Sequence, residues 1–202
     1  WVGAACALAA ALLLIPLNWP ARFWALPALA IAATYPFTKR FFSIPQAILG
    51  IAFSMGIPMA FAAVRGEVPL IVAWLMSANF FWVLAFDTEY AMVDRDDDIR
   101  IGIRTSALFF GRFDVLAVAC CYAAFIAMMV LIGSAAGLGP IYYIGLVLAA
   151  ALALHHLWLI RDRDRMRCFA AFRGNNLFGM AVFIGVALDY AVRTGAWPRW
   201  YV

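Results

Sequence analysis

The chain has 202 residues, 67% hydrophobic and 13% charged, with a net charge of +4 and a mean hydropathy of +0.93. Soluble domains run nearer half apolar and a quarter charged, so the soluble globular, disordered, collagen-like and disulfide-scaffold classes are excluded. Long apolar runs without alternation must be helices in lipid, where every backbone polar group has to be satisfied internally; the composition therefore specifies an all-α, polytopic transmembrane bundle.

Seven spans are expected, at roughly 2–17, 22–37, 43–63, 69–93, 114–136, 139–160 and 175–192, with Pro20, Pro45, Pro69 and Pro140 at or near span starts, where a missing N–H costs little. The second span ends in YPFTKR, residues 35–40, in which Tyr35 and Lys39 are one turn apart and, with Arg40, offer a phenol and two cations to an anionic group. The fourth ends in DTEYAMVDRDDD, residues 87–98. The segment that follows contains Arg100, Arg104, Thr105 and Gly111 and is placed to close over a phosphate, with Arg104 as its contact. His155 and His156 point apart on a helix and read as interfacial, RDRDRMR (161–167) reads as a solvated, self-paired loop, and Asn175 and Asn176 read as caps of the last span. Cys6, Cys120, Cys121 and Cys168 lack CxxC spacing and read as small buried hydrophobes.

Seven helices produce two sets of loops, and the basic residues sort between them. One side holds Lys39, Arg40, Arg95, Arg100, Arg104, Arg112, Arg161, Arg163, Arg165, Arg167 and Arg173; the other holds Arg22, Arg65, Arg193 and Arg199. The first side is expected in the cytoplasm. This distribution belongs to membrane topology, so no nucleic-acid partner is expected.

Six of the eleven acidic residues lie between Asp87 and Asp98. On a continuous helix, at 100° per residue, Asp87, Asp94 and Asp98 fall within about 40° of one another. Asp94 and Asp98 are an i,i+4 pair able to hold a divalent cation, whereas Asp87 lies about 16 Å from Asp98 along the axis and has a different task. Hard oxygen donors without His or Cys favour Mg²⁺, which binds a few carboxylates together with substrate phosphates, so a phosphorylated substrate is implied. Tyr90, inside the same run, is a further substrate-contact candidate, and Phe80, Phe81 or Phe86 are placed to shield a developing cation.

At these residues the chain resembles the UbiA-type intramembrane prenyltransferases. DTEYAMVDRDDD with IGIRTSALFFGRFD, YPFTKR, PQAILGIAFSMGIPMAFAA and RCFAAFRGNNLFG carry the resemblance, which covers essentially the whole chain. It implies a nine-helix bundle around a cavity open to lipid, in which two aspartate-rich motifs bind Mg²⁺ and a polyprenyl diphosphate. Asp94 and Asp98 match the second of these motifs, while Tyr35 and Lys39 match the family's YxxxK, with Lys39 on the diphosphate. The first motif, NDxxDxxxD, does not occur in these residues. On this resemblance the chain is one prenyltransferase domain, 1–202, lacking its first two helices and half of the metal site.

The resemblance further implies a Mg²⁺-dependent transfer from polyprenyl diphosphate to the ring of 4-hydroxybenzoate in ubiquinone biosynthesis, at the inner membrane of a bacterium with the active-site loops cytoplasmic. In that scheme Asp87, Asp94 and Asp98 are catalytic, and Tyr35, Lys39, Arg40, Tyr90 and Arg104 bind substrate. Other acceptors, of menaquinone, haem O or chlorophyll type, are the alternative. A cation transporter is the reading from another class, but it would place its acids near the midplane of broken helices.

Overall fold

The computed structural model describes residues 1–38 and 40–195 and is helical throughout its ordered elements. In chain order these are α1 (Val2–Leu14), α2 (Trp19–Thr38), α3 (Pro45–Ser54), α4 (Gly56–Arg65), α5 (Ile71–Val93), α6 (Arg95–Ile101), α7 (Ser106–Phe110), a 3-10 turn (Gly111–Phe113), α8 (Asp114–Ala135), α9 (Pro140–Ile160) and α10 (Arg165–Thr194). Local chemistry sets the ends. Pro45 and Pro140 occupy first-turn positions, and Gly66, Gly102 and Gly195 adopt left-handed φ values of 74°, 70° and 61° at C-caps. Thr105 caps α7 through Leu108 N at 3.4 Å, and Asp164 caps α10 through Arg167 N at 2.9 Å.

All seven expected segments are helical, and five stretches are long and apolar enough to cross a membrane: Pro45–Arg65, Ile71–Val93, Ser106–Ala135, Pro140–Ile160 and Arg165–Thr194. The chain is thus a multi-pass membrane protein. Helix α1, at 13 residues, is shorter than expected, and α2 carries Arg22 and two internal prolines, Pro27 and Pro36. The third span is interrupted at Met55. Pro58 lacks the N–H that would bond the Ser54 carbonyl, and its ring crowds that same oxygen.

The last helix departs most from expectation. It starts at Arg165 rather than near residue 175, so Asn175 and Asn176 do not cap it; they lie in its interior, Asn175 buried. The second half of RDRDRMR is its first turn rather than a self-paired loop. Arg165 reaches Asp97 at 3.0 Å, and Arg163 reaches Asp114. The run still pairs with itself in part: hydrogen bonds from Arg161, and then from Arg167 in the first turn of α10, hold the Asp162 carboxyl below its ordinary range. Two further expectations are corrected. His156 is buried inside the bundle while His155 is exposed, and Cys6 and Cys120 are exposed on apolar helices while Cys121 and Cys168 are buried.

Helix α5 is the hub, packing against α3, α8 and α10, while α9 lies along α10 and α2 packs on α3 and α4. The core forms mainly from α5, α8, α9 and α10, and large outward side chains such as Leu131, Ile144, Leu154 and Phe183 are exposed for lipid contact. The α9–α10 contact is backbone against backbone: a Cβ on Gly145 would stand 2.8 Å from both Gly185 Cα and Ala181 O. Small residues permit such approach, and with little hydrophobic force between helices in lipid the close packing itself holds the pair together. Gly145→Val is therefore expected to destabilise the protein by about 3 kcal/mol, read as a lower melting temperature in detergent.

Candidate functional site

The loops expected on one side of the membrane are joined at one end of the bundle. Arg104 Nη1 donates to Phe41 O at 3.0 Å, Ser106 N to Gln46 Oε1 at 2.9 Å, and Thr88 and Ser106 hydroxyls meet at 2.7 Å. Asp114, fully buried, accepts from Arg95 Nη1 at 2.8 Å and from Arg163 Nη2 at 2.7 Å, tying the segments after α5 and α9 to the start of α8. These bonds hold the Arg163 guanidinium even more firmly protonated than usual. Asp114 was not singled out by the sequence, where it is a single acid at the start of an apolar span.

The acidic run meets this end differently from the sequence expectation. Helix α5 stops at Val93, and Asp94, with φ −94° and ψ 5°, separates it from α6. The single continuous face is therefore broken between Asp87 and Asp98. The Asp94–Asp98 pair survives, because Asp98 N still donates to Asp94 O at 2.8 Å and keeps the two one turn apart. The break also lets Asp96, Asp97 and Asp98 share the first turn of α6, where the helix dipole favours negative charge.

Asp87, Asp94 and Asp98 are all part-buried. Tyr90 stands among them, within electrostatic range of Asp94, Asp87 and Asp98, while the Tyr35 phenol lies within electrostatic range of Asp87. The structure thus brings together five of the eight expected site residues, from α2, α5, α6 and the break between the last two. Arg165 approaches Asp94 at 3.8 Å. Arg40 and Arg104 are exposed at the same end, and Lys39 lies outside the described residues.

Next to the carboxylates is a cavity of about 600 Å³ whose walls include Phe53, Asn79, Trp82, Phe86, Phe172 and Asn176. Trp82, Phe86 and Tyr90 follow one another at i,i+4 spacing along α5. Their rings are linked across the site, Phe86 to Phe172 at 6.2 Å and Tyr90 to Phe172 at 4.9 Å between centroids, so the aromatic wall runs up to the acids. Of the three phenylalanines expected to shield a cation, only Phe86 lines this cavity; Phe80 and Phe81 pack against the core.

Among the described residues there is no group of three or more His, Cys, Asp or Glu side chains able to hold a metal ion. Magnesium, however, takes one or two carboxylates and completes its shell with phosphates and water, so the donor set of Asp94 and Asp98 fits it. Glu89 was also passed over by the sequence reading. It projects from α5 away from Asp87, by about 200° at 100° per residue, and is fully buried. That angular offset was the available signal.

Helices of membrane-spanning length around an aromatic cavity, with carboxylates and cations gathered at one end of the bundle, define a polytopic membrane protein. The chain belongs to the UbiA prenyltransferase family, which matches residues 1–185. It is 58% identical over 190 residues to the 4-hydroxybenzoate octaprenyltransferase of Paraburkholderia phytofirmans, covering 94% of this chain and 66% of that protein. Against the enzyme of the same name from Cupriavidus necator it is 60% identical over 193 residues, 95% of this chain and 67% of the other. The chain therefore spans about two thirds of the length of the curated relatives it matches. Among solved structures, a UbiA homolog from Aeropyrum pernix K1 superposes with a TM-score of 0.73 at 27% identity, over 86% of this chain and 65% of that one. A structure described for digeranylgeranylglyceryl phosphate synthase, at 13% identity and a TM-score of 0.68 over 88% of this chain and 64% of that one, shares the fold.

Proposed function

We propose that the protein transfers a polyprenyl group from polyprenyl diphosphate to the ring of 4-hydroxybenzoate, a step of ubiquinone biosynthesis, as part of one prenyltransferase unit in the inner membrane of a bacterium. The observation that carries this reading is the aromatic cavity running up to the Asp87–Asp98 carboxylates: an apolar tail fits the cavity and a diphosphate fits its charged end. The acceptor is inferred from the relatives, named as 4-hydroxybenzoate octaprenyltransferases, and their octaprenyl donor is the first to test. The eleven-to-four distribution of basic residues supports a cytoplasmic position for the charged end.

Asp94 and Asp98 are the residues that would hold Mg²⁺. Bound there, the ion would neutralise diphosphate charge and improve it as a leaving group. Arg40 and Arg104 add cations at the same end, and Tyr35 and Tyr90 add phenol donors, to hold the diphosphate oxygens; Lys39, assigned to the diphosphate from its place in YPFTKR, is a further cation for it. The allylic C–O bond breaks with both electrons going to diphosphate, and the carbocation is held against Trp82, Phe86 and Phe172, whose π faces attract it and whose bulk keeps water out. The ring carbon beside the phenol, meta to the carboxylate, attacks; its proton then leaves to a carboxylate or to the released diphosphate. Asp87, beside Tyr35 and deeper than the metal pair, orients the acceptor phenol.

The test is a transfer assay on the full-length gene product in lipid, with octaprenyl diphosphate and competing aromatic acceptors. Prenylated 4-hydroxybenzoate should form, stop on chelation and resume with Mg²⁺. Preference for a different acceptor would overturn the substrate assignment, and undiminished transfer after chelation would overturn the metal site. A cation-transport reading gains nothing from the structure, since the acids sit at the end of α5 and not at its middle.

A further inference from the structure

Three acidic side chains are essentially fully buried in this bundle, and two of them face arginines: Asp114 meets Arg95 and Arg163, and Asp189 meets Arg193 at 2.7 Å. The third, Glu89, meets no arginine or lysine among the described residues. Its neighbours are Tyr122 on α8, His156 on α9 and Asn175 on α10, and His156 Nδ1 is 3.9 Å from Glu89 Oε1.

The protons in this cluster can be counted. Tyr122 Oη lies 3.0 Å from Glu89 Oε1, 2.9 Å from Asn175 Oδ1 and 3.0 Å from His156 Nδ1. A phenol has one proton, and two oxygens within reach require it. The Asn175 amide cannot be turned over to relieve this. Its Oδ1 also accepts from Trp82 Nε1 at 2.9 Å, and its Nδ2 donates to Glu89 Oε2 at 2.8 Å and to Ala171 O at 3.2 Å. If Glu89 is ionised and takes the phenol proton, the phenol and amide oxygens face one another at 2.9 Å with nothing between them. Every contact is satisfied when the phenol donates to Asn175, Glu89 carries a proton and donates it to the phenol oxygen, and His156 donates Nδ1–H to the same oxygen. Burial without a cation favours the same neutral form, because an unpaired charge in the interior is costly.

Asn175 then has its donors and acceptor occupied by protein, so it serves the cavity as a fixed wall. Trp82 and Asn175 both line the cavity, and Asn176 follows on α10. Gly174, the preceding residue, must lack a side chain, since a Cβ there would collide with His156 Nε2. Glu89 does not line the cavity; its effect passes through the residues it binds.

We propose that Glu89 is a positioning residue of the transfer site: as a neutral carboxylic acid it closes a hydrogen-bonded cluster across α5, α8, α9 and α10 that fixes Trp82 and the Asn175–Asn176 face against the cavity. Its effect on catalysis rests on the transfer reading above; its protonation does not.

The experiment compares wild type, Glu89→Gln and Glu89→Leu of the full-length gene product in lipid nanodiscs. The infrared difference between wild type and Glu89→Gln should contain the carbonyl stretch of a protonated carboxylic acid; carboxylate stretches in its place would overturn the proposal. Glutamine has the shape and hydrogen-bonding capacity of the neutral acid, so Glu89→Gln should keep kcat/KM within about threefold of wild type. Glu89→Leu removes the cluster's centre and should lose about tenfold or more, chiefly through KM for the prenyl donor, because a displaced wall misplaces the substrate. Loss in Glu89→Gln equal to that in Glu89→Leu, or full activity in Glu89→Leu, would overturn the positioning role. If Glu89→Leu does not fold, Tyr122→Phe, which keeps the ring and removes the shared hydroxyl, takes its place with the same expected loss, and full activity in it would count against the proposal. If wild type transfers no prenyl group at all, the function reading fails, and the infrared comparison alone decides whether Glu89 is neutral.

Discussion

Replacing either Asp94 or Asp98 with alanine is expected to lower kcat for prenyl transfer by about a hundredfold or more while leaving the protein folded, because these carboxylates act on charge that develops only in the reaction. The separation of activity from stability follows from where they sit. Asp94 is at the break between α5 and α6, about a third exposed at its side chain, and makes no side-chain cap bond to α6. Its contact with Arg165, 58% exposed and 3.8 Å away, contributes little because solvent screens it. Asp97→Asn supplies the control. It removes the same charge one residue from Asp98, but from a group paired with Arg165 at 3.0 Å and with Arg100 at 3.8 Å, so transfer should stay near wild type. Assays across a Mg²⁺ titration separate the cases. Equal losses in all three variants would mean that the acidic segment acts only through its overall charge.

Asp114→Leu should destabilise the protein by about 3 kcal/mol, near the lower end for breaking a buried ion pair. Its carboxylate is fully buried and also accepts from its neighbour Val115 N at 2.7 Å, so leucine discards the anchor for two guanidiniums at once. The cost stays at the lower end because Arg95 and Arg163 are 28% and 37% exposed and recover part of their hydration. For a chain of this size the melting temperature should fall by roughly 6–12 °C. An unchanged melting temperature in detergent would show that the loops at the charged end are held by something other than Asp114.

The two substitutions probe neighbouring carboxylates of opposite character, and the difference could be read only in part from the chain. Asp94, Asp98 and Tyr90 announce themselves by clustering at the end of an apolar run. Asp114 is a single acid at the start of a span, and its two arginines lie 19 and 49 residues away. Nothing local distinguishes it from an exposed helix-end charge. Asn175 likewise looks like a cap from its place before an apolar stretch, and only the earlier start of α10 at Arg165 turns it into an interior, cross-helix partner.

The sequence by itself determined the lipid-embedded all-helical class, the end of the bundle at which charge collects, the acidic and YPFTKR segments and, through them, the family. These properties depend on composition and on spacings within one helix, which the geometry of a single helix makes local. The tertiary structure alone decided the break at Asp94, the aromatic cavity leading to it, the Asp114 clamp and the cluster around Glu89. Each depends on which faces of separate helices meet. A buried carboxylate is written in the same letter whether its partner is solvent, an arginine on another loop or a tyrosine across the bundle, and only packing chooses among them.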